Sequence, residues 1–134
     1  MKITSKGRYA VRIMAELARN QNDYMSVIEI AEKQNITPKY LEKIISMLIK
    51  SNLIVSARGK TGGYKLIKQP KDYSVAEILK VTGDLPTLAP CLIKENVCPN
   101  IDHCDSIGCW DKLNKMIYDY LTSISLEDLL NKKY

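Results

Sequence analysis

Four cysteines hold the densest chemistry in this sequence: Cys91, Cys98, Cys104 and Cys109, separated by six, five and four residues. Chance would scatter four cysteines over the whole chain, so their gathering in one stretch is the informative feature. Thiolates brought together in a loop suit a soft metal ion or an iron–sulfur cluster. Zinc is the rival metal, although its structural sites usually rest on a tight cysteine pair that fixes adjacent ligands. A redox switch through a reversible disulfide is a third reading, and inert buried thiols are a fourth. The single histidine, His103, adjoins Cys104. A lone histidine is ordinarily a surface or packing residue; this neighbour makes it a minor candidate ligand. There is no carboxylate pair with a histidine, no nucleophile motif and no phosphate-binding glycine loop ahead of a helix, so an enzyme is not expected.

The rest of the chain must supply a frame for that stretch. Its 134 residues correspond to one ordinary domain, or to a small domain with an appendage. An apolar share of 46% with 26% charged residues describes a soluble globular protein. Apolar runs such as Leu53-Ile54-Val55 are too short to span a bilayer. Met1–Gly7 lacks the apolar stretch of a secretion signal, and the expected location is the cytoplasm. In that reducing compartment the cysteines are expected as ligands or redox thiols rather than structural disulfides. Charge is distributed unevenly. Residues 1–70 hold 13 Lys and Arg against 5 Asp and Glu, a net of +8; residues 71–134 hold 7 against 10, a net of −3. A basic half points to a phosphate-backbone partner, unless it merely keeps the protein soluble.

Periodicity predicts a first helix over about 5–19, with Tyr9, Ile13, Leu17 and Val11, Met14, Ala18 at helical spacing and Lys6, Arg8, Arg12 and Arg19 on its polar side. Ser26-Val27-Ile28-Glu29 is a capping box that starts a short helix ending near Gln34-Asn35. Thr37 fits the next N-cap, with Pro38 at the first helical position. This third helix runs to about Lys50, burying Leu41, Ile44, Ile45 and Leu48, with Asn52 as a left-handed stop. Leu53–Ala57 and Tyr64–Ile67 read as strands joined by Arg58-Gly59-Lys60-Thr61-Gly62-Gly63, a glycine-rich turn with charge at its tip. Two short helices joined by a tight turn and followed by a basic hairpin have the shape of a winged helix-turn-helix.

Downstream, Ser74-Val75-Ala76-Glu77 is read as a second capping box opening a short helix that Gly83 closes. Residues 84–108, with Pro86, Pro90, Pro99 and Gly108, show little periodicity, and a loop of that length is usually functional or disordered. A helix resumes from about Cys109 with Trp110, Leu113, Ile117, Tyr120, Leu121 and Ile124 on one stripe. Such a late amphipathic helix either packs on its copy in a dimer or folds back on its own core. Ser125-Leu126-Glu127-Asp128 starts a last short helix. The expected fold class is mainly α with a small β-wing. Its divisions are a DNA-binding domain over 1–83, a cysteine-containing effector loop over 84–108, and a dimerisation helix with a short C-terminal helix over 109–134.

Taken together, Thr4-Ser5-Lys6-Gly7-Arg8-Tyr9-Ala10, Tyr40-Leu41-Glu42, Arg58-Gly59-x-x-Gly62-Gly63-Tyr64 and Ile124-Ser125-Leu126-Glu127-Asp128-Leu129 resemble the Rrf-two family of winged-helix transcriptional regulators, in its IscR-like, cysteine-containing branch. The likeness covers essentially the whole chain. It implies a homodimer on a double-stranded DNA operator, dimerised through the long helix, with a regulatory iron–sulfur cluster. That cluster is expected as 2Fe–2S in the first place, with 4Fe–4S as the other type. Cys91, Cys98 and Cys104 occupy the places of the three cysteines of that branch, and Trp110 the place of its tryptophan. The fourth ligand departs from the pattern. Where IscR-like members have a histidine this chain has Ile107, and where some relatives lend a carboxylate from the first helix it has Arg8, so Cys109 is the natural substitute. Four thiolates would give a lower potential than a set containing histidine. The resemblance implies control of genes for cluster biogenesis or for cysteine and redox metabolism, most simply as a repressor.

On this reading the amino end of the third helix faces base edges through Thr37, Lys39, Tyr40 and Lys43, and Glu42 tunes sequence choice. Arg58, with Gly59 and Lys60, brings the wing to the minor groove, while Ser5, Lys6 and Arg8 hold phosphates. A thiol- or zinc-based sensor on the same scaffold, or a CymR-like regulator controlled by a partner enzyme, stands as the alternative.

Overall fold

Among the described residues, five of the six α-helices begin at a side chain that accepts from a first-turn amide. In the computed structural model the elements are α1 (Ser5–Arg19), α2 (Val27–Gln34), α3 (Pro38–Lys50), β1 (Ile54–Ala57), β2 (Gly63–Leu66), α4 (Val75–Val81), α5 (Ile107–Ser123) and α6 (Leu126–Asn131). Short 3-10 turns lie at Pro70–Asp72, Pro90–Leu92 and Ile101–His103. The structure describes residues 2–85, 87–93 and 98–134. Met1, Pro86 and residues 94–97, the last two belonging to the expected effector loop, lie outside the described residues.

The Thr4 hydroxyl accepts from the Gly7 amide to cap α1, and Ser26 and Glu29 form the reciprocal box at α2. Thr37 caps α3 with Pro38 directly behind it, and Asn35 and Asn52 take left-handed conformations at φ 52° and 57°. The three-residue turn Asn35–Thr37 therefore follows from its residue types. One face of each helix is apolar, and these faces meet. Ala10, Ile13, Met14, Leu17 and Ala18 of α1 are sealed against Ile30 of α2 and Leu41, Ile44, Ile45 and Leu48 of α3.

The wing is an antiparallel pair in the register Ile54–Leu66, Val55–Lys65, Ser56–Tyr64 and Ala57–Gly63. A turn closed by the Gly62 amide donating to the Gly59 carbonyl at 3.1 Å puts Lys60 and Thr61 at its tip. Met25, ahead of α2, joins the other edge by exchanging both backbone hydrogen bonds with Tyr64, at 3.0 and 2.8 Å. Gly63, at φ 141°, permits this approach, because a Cβ there would collide with the Met25 carbonyl. Mostly helical with one small sheet, the expected fold class holds.

Several expected details differ, beginning with the strands: β1 starts at Ile54 rather than Leu53, and β2 spans Gly63–Leu66 rather than Tyr64–Ile67. Ser74 caps α4 from the Glu77 amide, but Glu77 does not close the box; its carboxylate turns to the Lys68 ammonium at 3.2 Å. The late helix starts at Ile107 rather than Cys109. It ends before Ile124, which is extended because the Ser125–Asp128 box begins α6 immediately after it. Backbone hydrogen bonds from Val75 to Ile124 and from Leu126 to Tyr73 set the starts of α4 and α6 side by side. Leu126 is thereby drawn into the same core as α1 and α3.

Tyr73 fastens the base of the wing. Its ring is fully buried. Its hydroxyl accepts from the Ile67 and Lys68 amides at 3.0 and 2.9 Å and donates to the Leu53 carbonyl at 2.7 Å. Removing the oxygen strands three backbone groups. Tyr73→Phe is expected to lower the unfolding free energy by about 2–3 kcal/mol with an unchanged denaturant slope, read by urea titration. A loss under about 0.5 kcal/mol would mean that these groups find other partners.

Candidate nucleic-acid interface and cysteine segment

Thr37, Lys39, Glu42 and Lys43 stand exposed on the first two turns of α3, and Arg58, Gly59 and Lys60 are exposed on the wing. Ser5 and Arg8 are exposed at the start of α1, where the Arg8 Nη2 donates to the Ser5 hydroxyl at 3.1 Å; Lys6 is half-buried. Among the described residues, ion pairs engage only Arg19, Lys33 and Lys68. Among the described residues, the cations of these three segments form no ion pair with a carboxylate. Tyr40, expected beside them at base edges, is placed differently. Its ring is half-buried, edge-on to Tyr9 at 5.7 Å and 77°.

Two polar clusters behind this surface escaped the sequence reading. In the first, Glu16, only 6% exposed, accepts from Gln34 Nε2 at 2.6 Å and pairs with Arg19 at 3.1 Å and Lys33 at 3.5 Å. Arg12 donates through Nε to the Gln34 side chain at 2.9 Å and through Nη2 to the Gln34 carbonyl. Spacing alone could not pair residues eighteen positions apart; the available signal was an acid among the apolar positions of α1.

The second cluster centres on Asp84, 7% exposed at the start of the 84–108 segment. Its carboxylate accepts from the Thr4 amide at 3.2 Å, the Thr4 hydroxyl at 2.8 Å and the Thr82 hydroxyl at 2.7 Å. Gly7 leaves the room, since a Cβ there would lie 2.6 Å from Asp84 Oδ2. The carboxylate thus ties the cysteine-bearing segment to the start of α1.

The cysteines follow that anchor. Cys91 lies in the 3-10 turn at Pro90–Leu92, Cys98 just ahead of the turn at Ile101–His103, Cys104 just after it, and Cys109 in the first turn of α5. Cys91, Cys98 and Cys104 are half-buried; Cys109 is exposed, and none is in a disulfide. Hydrogen bonds from the Ser106 hydroxyl and then its amide pull the Cys104 thiol below its ordinary pKa, toward thiolate. His103 is exposed. Among the described residues no three His, Cys, Asp or Glu side chains converge as a metal site. In kind and number the donors fit a thiolate-ligated iron–sulfur group; their convergence is not formed here.

Beyond them, α5 buries none of its residues, and Trp110, Leu113, Met116, Tyr118 and Tyr120 are between 41% and 59% exposed. Among the described residues no helix is long and apolar enough to cross a membrane.

Three helices with a tight turn between the second and third, backed by a strand pair with a basic tip, define a winged-helix DNA-binding protein. Residues 3–132 match the family described as Rrf2, iron-dependent transcriptional regulator. The chain is 37% identical over 134 residues to the HTH-type transcriptional regulator IscR of Photorhabdus laumondii, covering 99% of this chain and 81% of that protein. In structure it resembles CymR, the global cysteine regulator of B. subtilis, with a TM-score of 0.81 and 30% identity over 98% of both chains. It also resembles IscR of T. potens, with a TM-score of 0.76 and 32% identity over 100% of this chain and 89% of that one. The chain belongs to the Rrf2 family and is a transcriptional regulator, with a DNA-binding rather than an enzymatic role.

Asp84 gives this frame a pH signature. Burial alone would raise its pKa, but the hydrogen bonds from Thr82 and Thr4, with the Lys6 charge, outweigh it and leave the group below its ordinary value. Above the unfolded-chain pKa its stabilisation is complete; it is lost as the pH falls through the lowered native pKa. The stability gap between wild type and Asp84→Asn, from urea titrations, is expected to be constant near neutrality and to shrink in acid. A gap that widens on acidification would refute this.

Proposed function

We propose that this regulator is a homodimeric, cytoplasmic repressor whose operator affinity depends on an iron–sulfur cluster held by Cys91, Cys98 and Cys104, with Cys109 as the fourth donor and His103 as a lesser candidate. The observation that carries this reading is the set of four free thiols on one segment of a chain whose family is described as iron-dependent. When bound, an iron–sulfur group supplies a redox-sensitive cross-link, 2Fe–2S being the simpler type for a four-donor set. Everything else is work for the chain itself. Asp84 anchors the cysteine segment to Thr4, next to Ser5, Lys6 and Arg8, so ordering that segment bears on the start of α1. The uncovered apolar face of α5 is the surface that a second copy would cover, setting two recognition helices at a fixed spacing. The genes controlled would be those of cluster assembly or of cysteine and redox metabolism.

On DNA, α3 lies in the major groove with Thr37, Lys39, Tyr40, Glu42 and Lys43 at its leading end. Lys43 suits guanine acceptors, and Glu42 discourages bases that present acceptors. Arg58, with Gly59 and Lys60, enters the minor groove, while Ser5, Lys6 and Arg8 hold phosphates. Coupling of about 1–3 kcal/mol between cluster and operator suffices for a switch.

A second reading is favoured by one observation, the Cys104 thiol within hydrogen-bond distance of the Ser106 hydroxyl at 3.4 Å. A thiol- or zinc-based sensor on the same scaffold would use Cys104 as its reactive or ligating group. Control by a partner enzyme, in the manner of a CymR-like regulator, is the remaining form of that alternative.

Two outcomes test the proposal. Arg58→Ala is expected to weaken operator binding by about tenfold, a loss of ~1.4 kcal/mol, in a gel-shift titration with the dimer unchanged by sedimentation; equal affinity for the two proteins would count against it. Anaerobically purified wild type is expected to be coloured and to contain iron and acid-labile sulfide, and Cys98→Ala to lose that absorbance while keeping its helical circular dichroism. A colourless anaerobic preparation favours the thiol or zinc sensor instead.

A further inference from the structure

The helix-turn-helix is gripped from behind by one arginine. Arg12 sits one turn beyond Arg8 on α1, yet its guanidinium is engaged rather than free. Nε donates to Gln34 Oε1 at 2.9 Å, Nη2 donates to the Gln34 carbonyl, and the guanidinium carbon lies 5.2 Å from the centre of the Tyr9 ring. Gln34 is the last residue of α2, immediately before the turn Asn35–Thr37. It is itself held from the other side by the buried Glu16, at 2.6 Å. Tyr9 in turn meets Tyr40, in the first turn of α3, edge-on at 5.7 Å. One guanidinium therefore links the end of the helix before the turn to a ring that touches the start of the helix after it.

We infer that Arg12 is a positioning residue for DNA recognition, fixing the angle at which the amino end of α3 is presented, without itself contacting DNA. The inference rests on the reading of α3 as the groove-inserted helix. The turn is held locally, the Ile36 amide donating to the Ala31 carbonyl at 3.1 Å with the Ile36 side chain buried in the core, and Arg12 adds a directional polar restraint across it. Asn35 is left-handed at φ 52°, and the Thr37 cap accepts from the Tyr40 amide at a long 3.4 Å. Only the planar fork of arginine satisfies a side-chain oxygen and a main-chain oxygen together while lying on an aromatic face; a lysine keeps the charge but loses the fork. Rotation of α3 against α2 would have to break the Arg12–Gln34 pair or part Tyr9 from Tyr40. Base-edge contacts tolerate little misplacement, whereas phosphate contacts are forgiving. The consequence of losing Arg12 should fall on sequence discrimination rather than on general DNA affinity.

The experiment uses the full chain purified anaerobically, a duplex carrying the site that wild type enriches from a random-sequence library, and a scrambled duplex of equal length. Arg12→Ala and Arg12→Lys are each expected to lose about tenfold in affinity for the enriched duplex, the scale of a lost charge-assisted hydrogen bond, with scrambled-duplex affinity and salt slope unchanged. If Arg12→Ala does not fold, Arg12→Lys carries the comparison alone. A lysine variant that binds both duplexes like wild type overturns the proposal. So does an alanine variant that weakens both equally with a slope smaller by about 1, which marks a phosphate contact instead. Enrichment of no site by wild type would overturn the reading of α3 beneath it, a result distinguishable from failure of the variants alone.

Discussion

The first helix is the member against which everything else is braced, because its apolar face is the shared wall of the core. Ala10, Ile13, Met14, Leu17 and Ala18 have at most 1% of their surface exposed, and α2, α3, α4, α6 and β2 all pack on α1. Polar fasteners then fix it near both ends. Asp84 holds Thr4 at its start, while Glu16 and Arg12 hold Gln34 further along. Hydrophobic burial sets how tightly these helices pack but is indifferent to small rotations between them; directional hydrogen bonds to charged groups select one arrangement. A protein that must present a helix and a hairpin to one duplex at a fixed separation needs that second kind of constraint.

The charge distribution divides along the chain, with α1 in its basic half. The basic front, +8 over residues 1–70, carries the exposed amino end of α3, the wing tip and the start of α1. The net-negative back, −3 over residues 71–134, carries the cysteines and the uncovered face of α5. Opposite net charges keep the back from competing for phosphate while the front is drawn to it. Asp84 stands at the junction, and its bonds to Thr4 tie the start of the cysteine segment to the start of α1. The cysteine-bearing segment is therefore anchored beside the basic start of α1.

Much of the fold was legible because it is written locally. Ser26 with Glu29, Thr37 with Pro38, Asn35 and Asn52, and Ser125 with Asp128 act on residues within one turn, and sequence order shows them directly. Ser74 and Glu77 carry the same signature, yet Glu77 turns to Lys68 nine residues away, a competitor that no local pattern reveals. The Glu16–Gln34–Arg12 bridge, the Tyr73 hydroxyl at the base of the wing and the Asp84 anchor were all unreadable for that reason. Each is a polar group whose partners are brought near only by packing. The cysteine spacing is legible as chemistry but not as geometry: among the described residues the four thiols lie on or beside two short turns and in the first turn of α5 without converging.

The proposed function requires that the cysteine segment and the DNA surface be energetically linked. The most direct measurement is operator affinity on one anaerobic sample, by fluorescence anisotropy at fixed salt, before and after iron removal by chelation, with iron and sulfide assayed alongside. Affinity is expected to change by about 5–150-fold between the two states, the range for coupled binding sites. Equal affinities, with iron demonstrably present before and absent after, would contradict that link.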